Sequence, residues 1–258
     1  MKAFDYEEPR TVEEAVACMA KPGKSRALAG GTDLLVRLKR REWPVDRVVN
    51  LKKIAKLRGI AERGDQVVIG ALTTIEDLER SPLIRERYPL LNEAVFEMAS
   101  PQVRTLATVG GNLCNASPAA DLAPPLLCLD AVMVIRGRKG QRQLPMREFF
   151  AGPGRTVMGP DEILEEIRIP ATPVKGVFIK FCTRRAMDLA VVSVACAKVG
   201  NEIRVALGSV APTPIRVPAS PEEAMKKATP IDDIRASAEY RREMVRVLVR
   251  RALEKVTA

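Results

Sequence analysis

The segment Thr105–Pro125, TLATVGGNLCNASPAADLAPP, joins an apolar run at Thr105–Val109 to an expected helix start near Asp121. Its residues are mostly small and polar, which is typical of a loop. The pair Gly110-Gly111 lacks Cβ atoms, so its backbone can adopt positive φ and approach a ligand closely. Consecutive peptide N–H groups in such a turn can converge on an anion without any lysine. The sequence therefore predicts an anion-binding loop at this point.

A second segment, Ala27–Leu35 (ALAGGTDLL), has the same order of residue types: an apolar run, Gly30-Gly31, a hydroxyl and a carboxylate. Either glycine pair alone is more often an ordinary turn. Together they are best explained as two sides of one phosphate-containing ligand. Neither segment is a G-x-G-x-x-G fingerprint and no G-x-x-x-x-G-K-[ST] loop occurs, so Rossmann and P-loop functions lose their usual support.

Length and composition indicate a globular chain with room for two or three lobes. The chain has 258 residues, of which 47% are hydrophobic and 29% charged. No apolar run approaches the roughly 20 residues that cross a bilayer. The N-terminal sequence MKAFDYEEPR lacks an apolar signal core. We therefore expect a cytoplasmic protein with no membrane span.

The chain contains no histidine. This excludes Ser-His-Asp and Cys-His catalysis, histidine bases and most zinc enzymes. Chemistry must then come from a bound cofactor or from carboxylates and lysines, and no metal site is expected. The five cysteines form no C-x-x-C pair, which argues against a disulfide framework or an iron–sulfur cluster in this chain. They are Cys18, Cys114, Cys128, Cys182 and Cys196.

The formal net charge of +10 raises the question of a nucleic-acid partner. Only 4% of the residues are aromatic, and no basic stripe is interleaved with stacking rings. We therefore expect solvated basic faces and no nucleic-acid partner, with electrostatic steering of anions left open.

Apolar runs and helix signals alternate along the first two thirds of the chain. The expected strands are Arg26–Ala29, Arg47–Leu51, Gln66–Ala71, Ala131–Ile135 and Ile163–Ile169. Capping and proline signals predict helices that start at Thr11, cover Asp33–Lys39, run from Thr73 to about Arg80, cover Pro89–Ala99 and start at Asp121.

A boundary is expected at Pro170–Lys175. Beyond it, the strand-like runs are Val177–Cys182, Ala190–Val199 and Ile203–Val210, the last two joined by a hairpin signal at Gly200-Asn201-Glu202. The last element is an expected amphipathic helix, Ser237–Val256. We assign its apolar side to Tyr240, Met244, Val247 and Leu248. A solvated or partner-facing side is assigned to Arg241, Arg242, Arg246, Arg250 and Arg251.

Four stretches resemble one family. AGGTDLL at Ala29–Leu35 and TVGGNLCNASPAADLAP at Thr108–Pro124 are similar to the two flavin motifs of the FAD-binding medium subunit of molybdenum hydroxylases. This is the type found in carbon monoxide dehydrogenase, bacterial xanthine dehydrogenase and aryl-CoA reductases. FIKFCTRRAMDLAVV at Phe178–Val192 and DDIRASAEYRR at Asp232–Arg242 resemble the C-terminal domain of that subunit. The matches follow the family's order over nearly the whole chain.

The resemblance implies an α+β fold. A two-subdomain FAD-binding domain of the vanillyl-alcohol-oxidase (PCMH) type would cover 1–172, with subdomains of about 1–55 and 56–172. A small C-terminal antiparallel sheet with helices would cover 173–258. The stretch Val217–Asp232 is shorter than the family usually has, which puts a helix or connection of that domain in doubt.

The resemblance also implies the residues that hold FAD. From the residues alone, Asp121 fits equally well as a helix cap, and Lys180 as a surface strand lysine. No catalytic residue is implied in this chain. The implied FAD-binding residues are Ala27, Leu28, Ala29, Gly30, Gly31, Thr32, Asp33, Leu34, Thr108, Val109, Gly110, Gly111, Asn112, Asp121, Leu164 and Lys180.

The implied function is that of an FAD-binding electron-transfer subunit. A [2Fe-2S] small subunit and a molybdenum-cofactor large subunit would be its partners, with NAD or another compound as acceptor. Two alternatives remain open. A stand-alone FAD-dependent oxidoreductase would need an acid, for which Lys180 and Cys114 are the candidates. A basic binding module without a cofactor would be colourless.

Overall fold

The structure, a computed structural model, describes residues 3–184 and 186–258. The first lobe is a three-stranded parallel sheet in the order β1-β3-β2, with one helix after each of its first two strands. Its elements are β1 (Asp5–Glu7), α1 (Val12–Met19), β2 (Ser25–Leu28), α2 (Leu34–Lys39) and β3 (Arg47–Asn50).

Helix α1 begins at the expected capping box. The Thr11 hydroxyl accepts from the N–H of Glu14, and the Glu14 carboxylate accepts from the N–H of Thr11, so two N-terminal amides are satisfied. The helix buries Val12, Ala15 and Val16 against the first-lobe core. This prediction is confirmed.

The second lobe is a five-stranded antiparallel sheet in the order β4-β5-β10-β6-β7, covered by six helices. The polypeptide enters through two short 3-10 turns and makes a separate β8-β9 ribbon before its last strand. Its elements are β4 (Ile60–Arg63), β5 (Gln66–Gly70), α3 (Ile75–Arg80), α4 (Pro82–Arg87), α5 (Pro89–Phe96), α6 (Pro101–Arg104), α7 (Val109–Cys114), α8 (Ala123–Cys128), β6 (Val132–Gly137), β7 (Gly140–Pro145), β8 (Phe150–Gly152), β9 (Arg155–Thr156) and β10 (Ile163–Pro170).

The third lobe is a four-stranded antiparallel sheet in sequential order with two helices. The expected hairpin is present, with Gly200 at φ +60°. Its elements are β11 (Lys175–Phe181), β12 (Val192–Val199), β13 (Glu202–Gly208), β14 (Ile215–Val217), α9 (Pro221–Lys227) and α10 (Ala238–Thr257).

The third-lobe sheet is buried on both faces. Phe178, Ala195 and Ala206 belong to the second-lobe core, which includes residues of α5 and α8. The alternate positions Cys196 and Val205 pack into a core with α10. Because side chains alternate across a strand, the third-lobe sheet packs against the second lobe through one face and against its own helix α10 through the other.

Helix α10 departs from the predicted orientation. Its N-cap is Ser237 as expected, but Tyr240 is 47% exposed and Arg241 is only 1% exposed. Arg241 donates to the Ser209 carbonyl oxygen at 3.0 Å and pairs with Asp233, so both terminal nitrogens of its guanidinium have partners in the interior. The buried side is Arg241, Val245, Leu248, Val249, Ala252 and Val256.

Several boundaries differ from the sequence predictions. The capping box of α3 uses Thr74 and Asp77, one residue beyond the predicted Thr73 start. Helix α5 ends at Phe96, before Ala99, whose φ is +51°. The short elements β1, β4, α4, α6 and β14 were not predicted from the sequence.

Candidate functional site

The first glycine segment connects β2 to α2. Gly31 has φ +84°, the left-handed conformation that favours glycine. Gly30 is required for a different reason. A Cβ atom at Gly30 would lie 2.1 Å from the carbonyl oxygen of Leu106, so a side chain there would collide with the polypeptide that leads into the second segment. Gly30 therefore allows the two segments to touch.

The backbone N–H groups from Gly30 to Asp33 donate to no protein acceptor within the described residues. Asp33 precedes α2 but makes no side-chain cap hydrogen bond. Thr32 and Gly31 are only partly buried, so these donors can be reached by a ligand. Successive unpaired amides of this kind are suited to an anion such as a phosphate.

The second glycine segment is not the predicted loop. The Gly110-Gly111 pair, expected in a loop, lies inside α7, whose N-cap is Thr108. Neither glycine has positive φ. A Cβ atom at Gly110 would lie 2.7 Å from the Ala71 carbonyl oxygen, so this glycine too serves close packing. The prediction was wrong because close helix packing selects glycine as strongly as a turn does.

The amides of the second segment are already occupied. The N–H of Val109 donates to the Thr73 carbonyl oxygen, and that of Gly110 to the Ala71 carbonyl oxygen. The N–H of Gly111 donates to the Thr108 hydroxyl at 3.0 Å. This segment therefore offers side chains to a ligand, not amides. The Oδ1 atom of Asn112 is buried without a partner among the described residues.

Asp121 and Lys180 form a buried ion pair between the second and third lobes. The Lys180 Nζ lies 2.9 Å from Asp121 Oδ2 and also donates to the Glu97 carbonyl oxygen at 2.9 Å. Only 2% of the Lys180 side chain is exposed, so it is not a surface strand lysine. Asp121 does not cap α8, whose N-cap is Leu122. The structure thus brings together two of the predicted residues that lie 59 positions apart.

Burial raises the pKa of Asp121 to about 6, and the Lys180 ammonium offsets only part of this shift. The other carboxylate oxygen, Oδ1, is buried with no partner among the described residues. A buried acceptor without a donor is costly unless a ligand supplies the hydrogen bond. Asp121 therefore has one oxygen committed to Lys180 and one available to a ligand.

Leu164 is an apolar residue of the same buried core as Val109 of the second segment. It lies in β10, is 3% exposed and belongs to the second-lobe core. The pairing of β10 with β6 shifts register between Leu164 and Glu166, so the strand is irregular at this point. The structure shows no polar side-chain feature at Leu164 that would identify a ligand contact.

Two cations beside the first segment were missed by sequence reasoning. A cleft of about 110 Å³ is lined by Lys52 and Arg58 together with Gly30, Leu106 and Thr108. This volume is below the roughly 300 Å³ of typical small-molecule pockets, so the cleft can hold only part of a ligand. The available signal was the position of both cations shortly after the strand Arg47–Asn50.

Cys114 is unsuited to acid or thiolate chemistry. Its Sγ atom lies 3.8 Å from the Met158 sulfur, and desolvation raises the pKa of the thiol to about 12, although the residue is only partly buried. A thiol with that pKa remains protonated at neutral pH. No group of three His, Cys, Asp or Glu side chains able to hold a metal ion is found in the part of the chain described.

The family described as "FAD binding domain in molybdopterin dehydrogenase" matches residues 2–172. The family described as "CO dehydrogenase flavoprotein C-terminal domain" matches residues 218–256. The chain belongs to the FAD-binding medium subunits of the molybdenum hydroxylases. It is therefore an FAD-dependent oxidoreductase subunit, and its α+β fold is of the PCMH type, as expected from the sequence.

Individual relatives match end to end. The carbon monoxide dehydrogenase medium chain of Hydrogenophaga pseudoflava is 35% identical over 97% of this chain and 96% of its own. The putative xanthine dehydrogenase FAD-binding subunit of Escherichia coli is 31% identical over 98% of this chain and 96% of its own. A solved carbon monoxide dehydrogenase from Hydrogenophaga pseudoflava has a TM-score of 0.94 at 34% identity, covering 99% of this chain and 97% of that one.

The groups present fit FAD. The first segment supplies unpaired amides for a phosphate, and the second lobe supplies buried oxygen atoms that lack donors at Asn112 and Asp121. No helix in the described ranges is long and apolar enough to cross a bilayer.

Proposed function

We propose that this chain passes electrons between [2Fe-2S] clusters on a small partner subunit and NAD or another acceptor. A large partner subunit with a molybdenum cofactor would carry the substrate chemistry. The observation that carries the proposal is the end-to-end similarity to a carbon monoxide dehydrogenase medium chain, which leaves little of this chain for further machinery. The cytoplasm is the proposed location, as expected from the sequence.

The proposed FAD-binding residues divide into two chemical kinds. Amides from Gly30 to Asp33 would bind the pyrophosphate, with Lys52 and Arg58 adding positive charge nearby. Side-chain oxygens of Asn112 and Asp121 would accept hydrogen bonds from hydroxyl or ring N–H groups. The remaining residues expected from the resemblance stay in the proposal as neighbours of these groups, including Leu164.

Lys180 would position Asp121 rather than act as an acid. Its ammonium donates to both Asp121 and the Glu97 carbonyl oxygen, which fixes the carboxylate at the junction of two lobes. FAD itself supplies the electron-transfer chemistry, while the protein orients it and tunes its potential. The proposed domains remain 1–172, with subdomains of about 1–55 and 56–172, and 173–258.

A stand-alone flavoenzyme is the less favoured alternative. Its two candidate acids are committed: Lys180 is buried in an ion pair, and the Cys114 thiol has a pKa near 12. The cofactor-free binding module is overturned, because the matched family binds FAD.

Reconstitution tests the electron-transfer proposal. The purified chain should release non-covalent FAD on acid treatment, and alone it should not turn over purines, aromatic heterocycles or CoA thioesters. Turnover should appear when the two proposed partner subunits are added. Full substrate turnover by this chain alone would favour the stand-alone flavoenzyme instead.

A further inference from the structure

Two guanidinium groups lie over the ring of Trp43, the single tryptophan of the chain. The Arg26 guanidinium carbon is 4.6 Å from the ring centroid, and that of Arg37 is 4.3 Å from it. Both distances are within the range of cation–π attraction. Arg26 comes from β2 and Arg37 from α2, so the stack clamps the two elements that flank the first glycine segment.

Only one of the two arginines also reaches the second segment. Arg37 Nη2 donates to the Asn115 side-chain oxygen at 3.1 Å in a partly buried position. Asn115 is the C-cap of α7, and its own N–H donates to the Gly111 carbonyl oxygen. Within the described residues Arg26 makes no hydrogen bond to α7.

Two contacts among the described residues therefore help to hold the two glycine segments together. One is the backbone contact that Gly30 allows with Leu106. The other is the Arg37–Asn115 hydrogen bond, which joins α2 to the far end of α7. The two contacts lie at different ends of the second segment, so the hydrogen bond adds to the backbone contact in fixing the orientation of one segment relative to the other.

We propose that Arg37 is a positioning residue for FAD: stacked on Trp43, it holds α2 against α7 through Asn115, so that amides of the first segment and side chains of the second face one ligand. This rests on the proposed division of FAD contacts between the two segments. Arg37 acts through Asn115, and its charge is not required at the phosphate.

Arg26 provides a matched control because it stacks on the same ring at nearly the same distance. The measurement is the dissociation constant of FAD from flavin-depleted full-length chain, followed by quenching of Trp43 or flavin fluorescence. Losing a hydrogen bond to a charged group predicts about tenfold weaker binding for Arg37→Ala, and a similar loss for Asn115→Ala. Arg26→Ala should change affinity less than about twofold.

The double variant R37A/N115A tests the coupling. It should bind FAD no more weakly than either single variant, because both remove the same contact. Arg37→Lys, which can still donate one hydrogen bond, should recover part of the affinity. Thermal unfolding of the flavin-depleted variants shows whether they are folded, and R37K carries the test if R37A is not.

Three results would overturn the proposal. Equal losses for R26A and R37A would assign the effect to stacking on Trp43. If R37A binds FAD more weakly and N115A does not, the effect would be assigned to charge at the phosphate, especially if added salt removes the difference between R37A and wild type. Unchanged affinity in R37A would remove any role. Failure of the wild-type chain to bind FAD would instead overturn the proposed FAD contacts themselves. Because the wild-type chain is measured alongside the variants, that failure is distinguished from failure of the Arg37 proposal alone.

Discussion

The two glycine segments have the same order of residue types but different structures. In the first, the amides from Gly30 to Asp33 are left unpaired in a turn before a short helix. In the second, Gly110 and Gly111 lie within a helix whose amides are all bonded inside the protein. Glycine therefore marks close backbone approach in both, and only in the first does it leave donors for a ligand.

Because of this difference, the two segments are proposed to bind different groups of the ligand. The first segment offers backbone N–H donors, which can bind an anion whatever the neighbouring side chains are. The second lobe offers side-chain acceptors at Asn112 and Asp121, which suit neutral hydroxyl and N–H groups. A dinucleotide such as FAD contains both kinds of group, so the two unlike segments are complementary.

The largest expected effect comes from the contact that joins the segments. Gly30→Val would place a β-branched side chain where even a Cβ lies 2.1 Å from the Leu106 carbonyl oxygen. Since the backbone cannot move aside cheaply, we expect the free energy of unfolding to fall by about 3 kcal/mol or more. We also expect the variant to lose bound FAD. Thermal denaturation and bound-flavin content measure the two losses.

A matched control for Gly30→Val is Gly64→Ala. Gly64 also occupies a turn, at φ +63°, but has no atom within 4 Å of an added Cβ. It should cost about 1 kcal/mol from backbone strain alone and leave FAD bound. A stable Gly30→Val protein that merely lost FAD would show that Gly30 contacts the ligand and not Leu106.

The central strands of both antiparallel sheets were predictable from the sequence, because each is an apolar run bounded by turn residues, whereas the edge strands β4 and β14 were not predicted. The side of α10 that is buried was not predictable in this way. Periodicity assigned Arg241 to solvent, whereas Asp233 and the Ser209 carbonyl oxygen hold it inside. The alternative of a surface strand lysine at Lys180 was wrong for the same reason, since its partner Asp121 is distant in sequence. A buried charge is visible only when its tertiary partner is known.

The candidate site was partly predictable for a similar reason. A glycine pair indicates close approach but does not say what approaches, and in three dimensions the neighbour of Gly110 is Ala71. The N-cap signal at Thr108 was available, but the following glycines lower helix propensity enough to hide it. The resemblance to a family supplied the FAD assignment, which local patterns left open.

An effect of intermediate size concerns the side-chain acceptor Asp121. Its pKa is raised from 3.8 to about 6 by burial, so the folded state binds a proton more tightly than the unfolded state. Stability from this group is complete below pH 4 and is lost as pH rises through about 6. The loss amounts to roughly 3 kcal/mol, the free energy that corresponds to a pKa change from 3.8 to about 6.

Asp121→Asn isolates this contribution because the amide cannot ionise. The difference in unfolding free energy, variant minus wild type, should increase from pH 4 to pH 7 in flavin-depleted protein, since other carboxylates cancel in the difference. Chemical denaturation at several pH values measures it. A difference that decreases with pH would mean that attraction to Lys180 exceeds the cost of burial, contrary to the assignment.

The smallest expected effects compare two threonines, one from each segment. The Thr108 hydroxyl caps α7 by accepting from the Gly111 N–H, so Thr108→Ala should cost about 1 kcal/mol of stability. The Thr32 hydroxyl makes no hydrogen bond within the described residues, so Thr32→Ala should leave the stability of the flavin-depleted chain within about 0.5 kcal/mol.

Flavin affinity should show the reverse order. Thr32 adjoins unpaired amides, so its loss should weaken FAD binding several-fold, whereas Thr108→Ala should weaken binding only as far as α7 is loosened. Denaturation of flavin-depleted protein and FAD titration, performed on the same two variants, separate the effects. If Thr32→Ala destabilises the empty protein while Thr108→Ala does not, the roles of the two segments are exchanged: the first would be the structural one, and the ligand would contact the second.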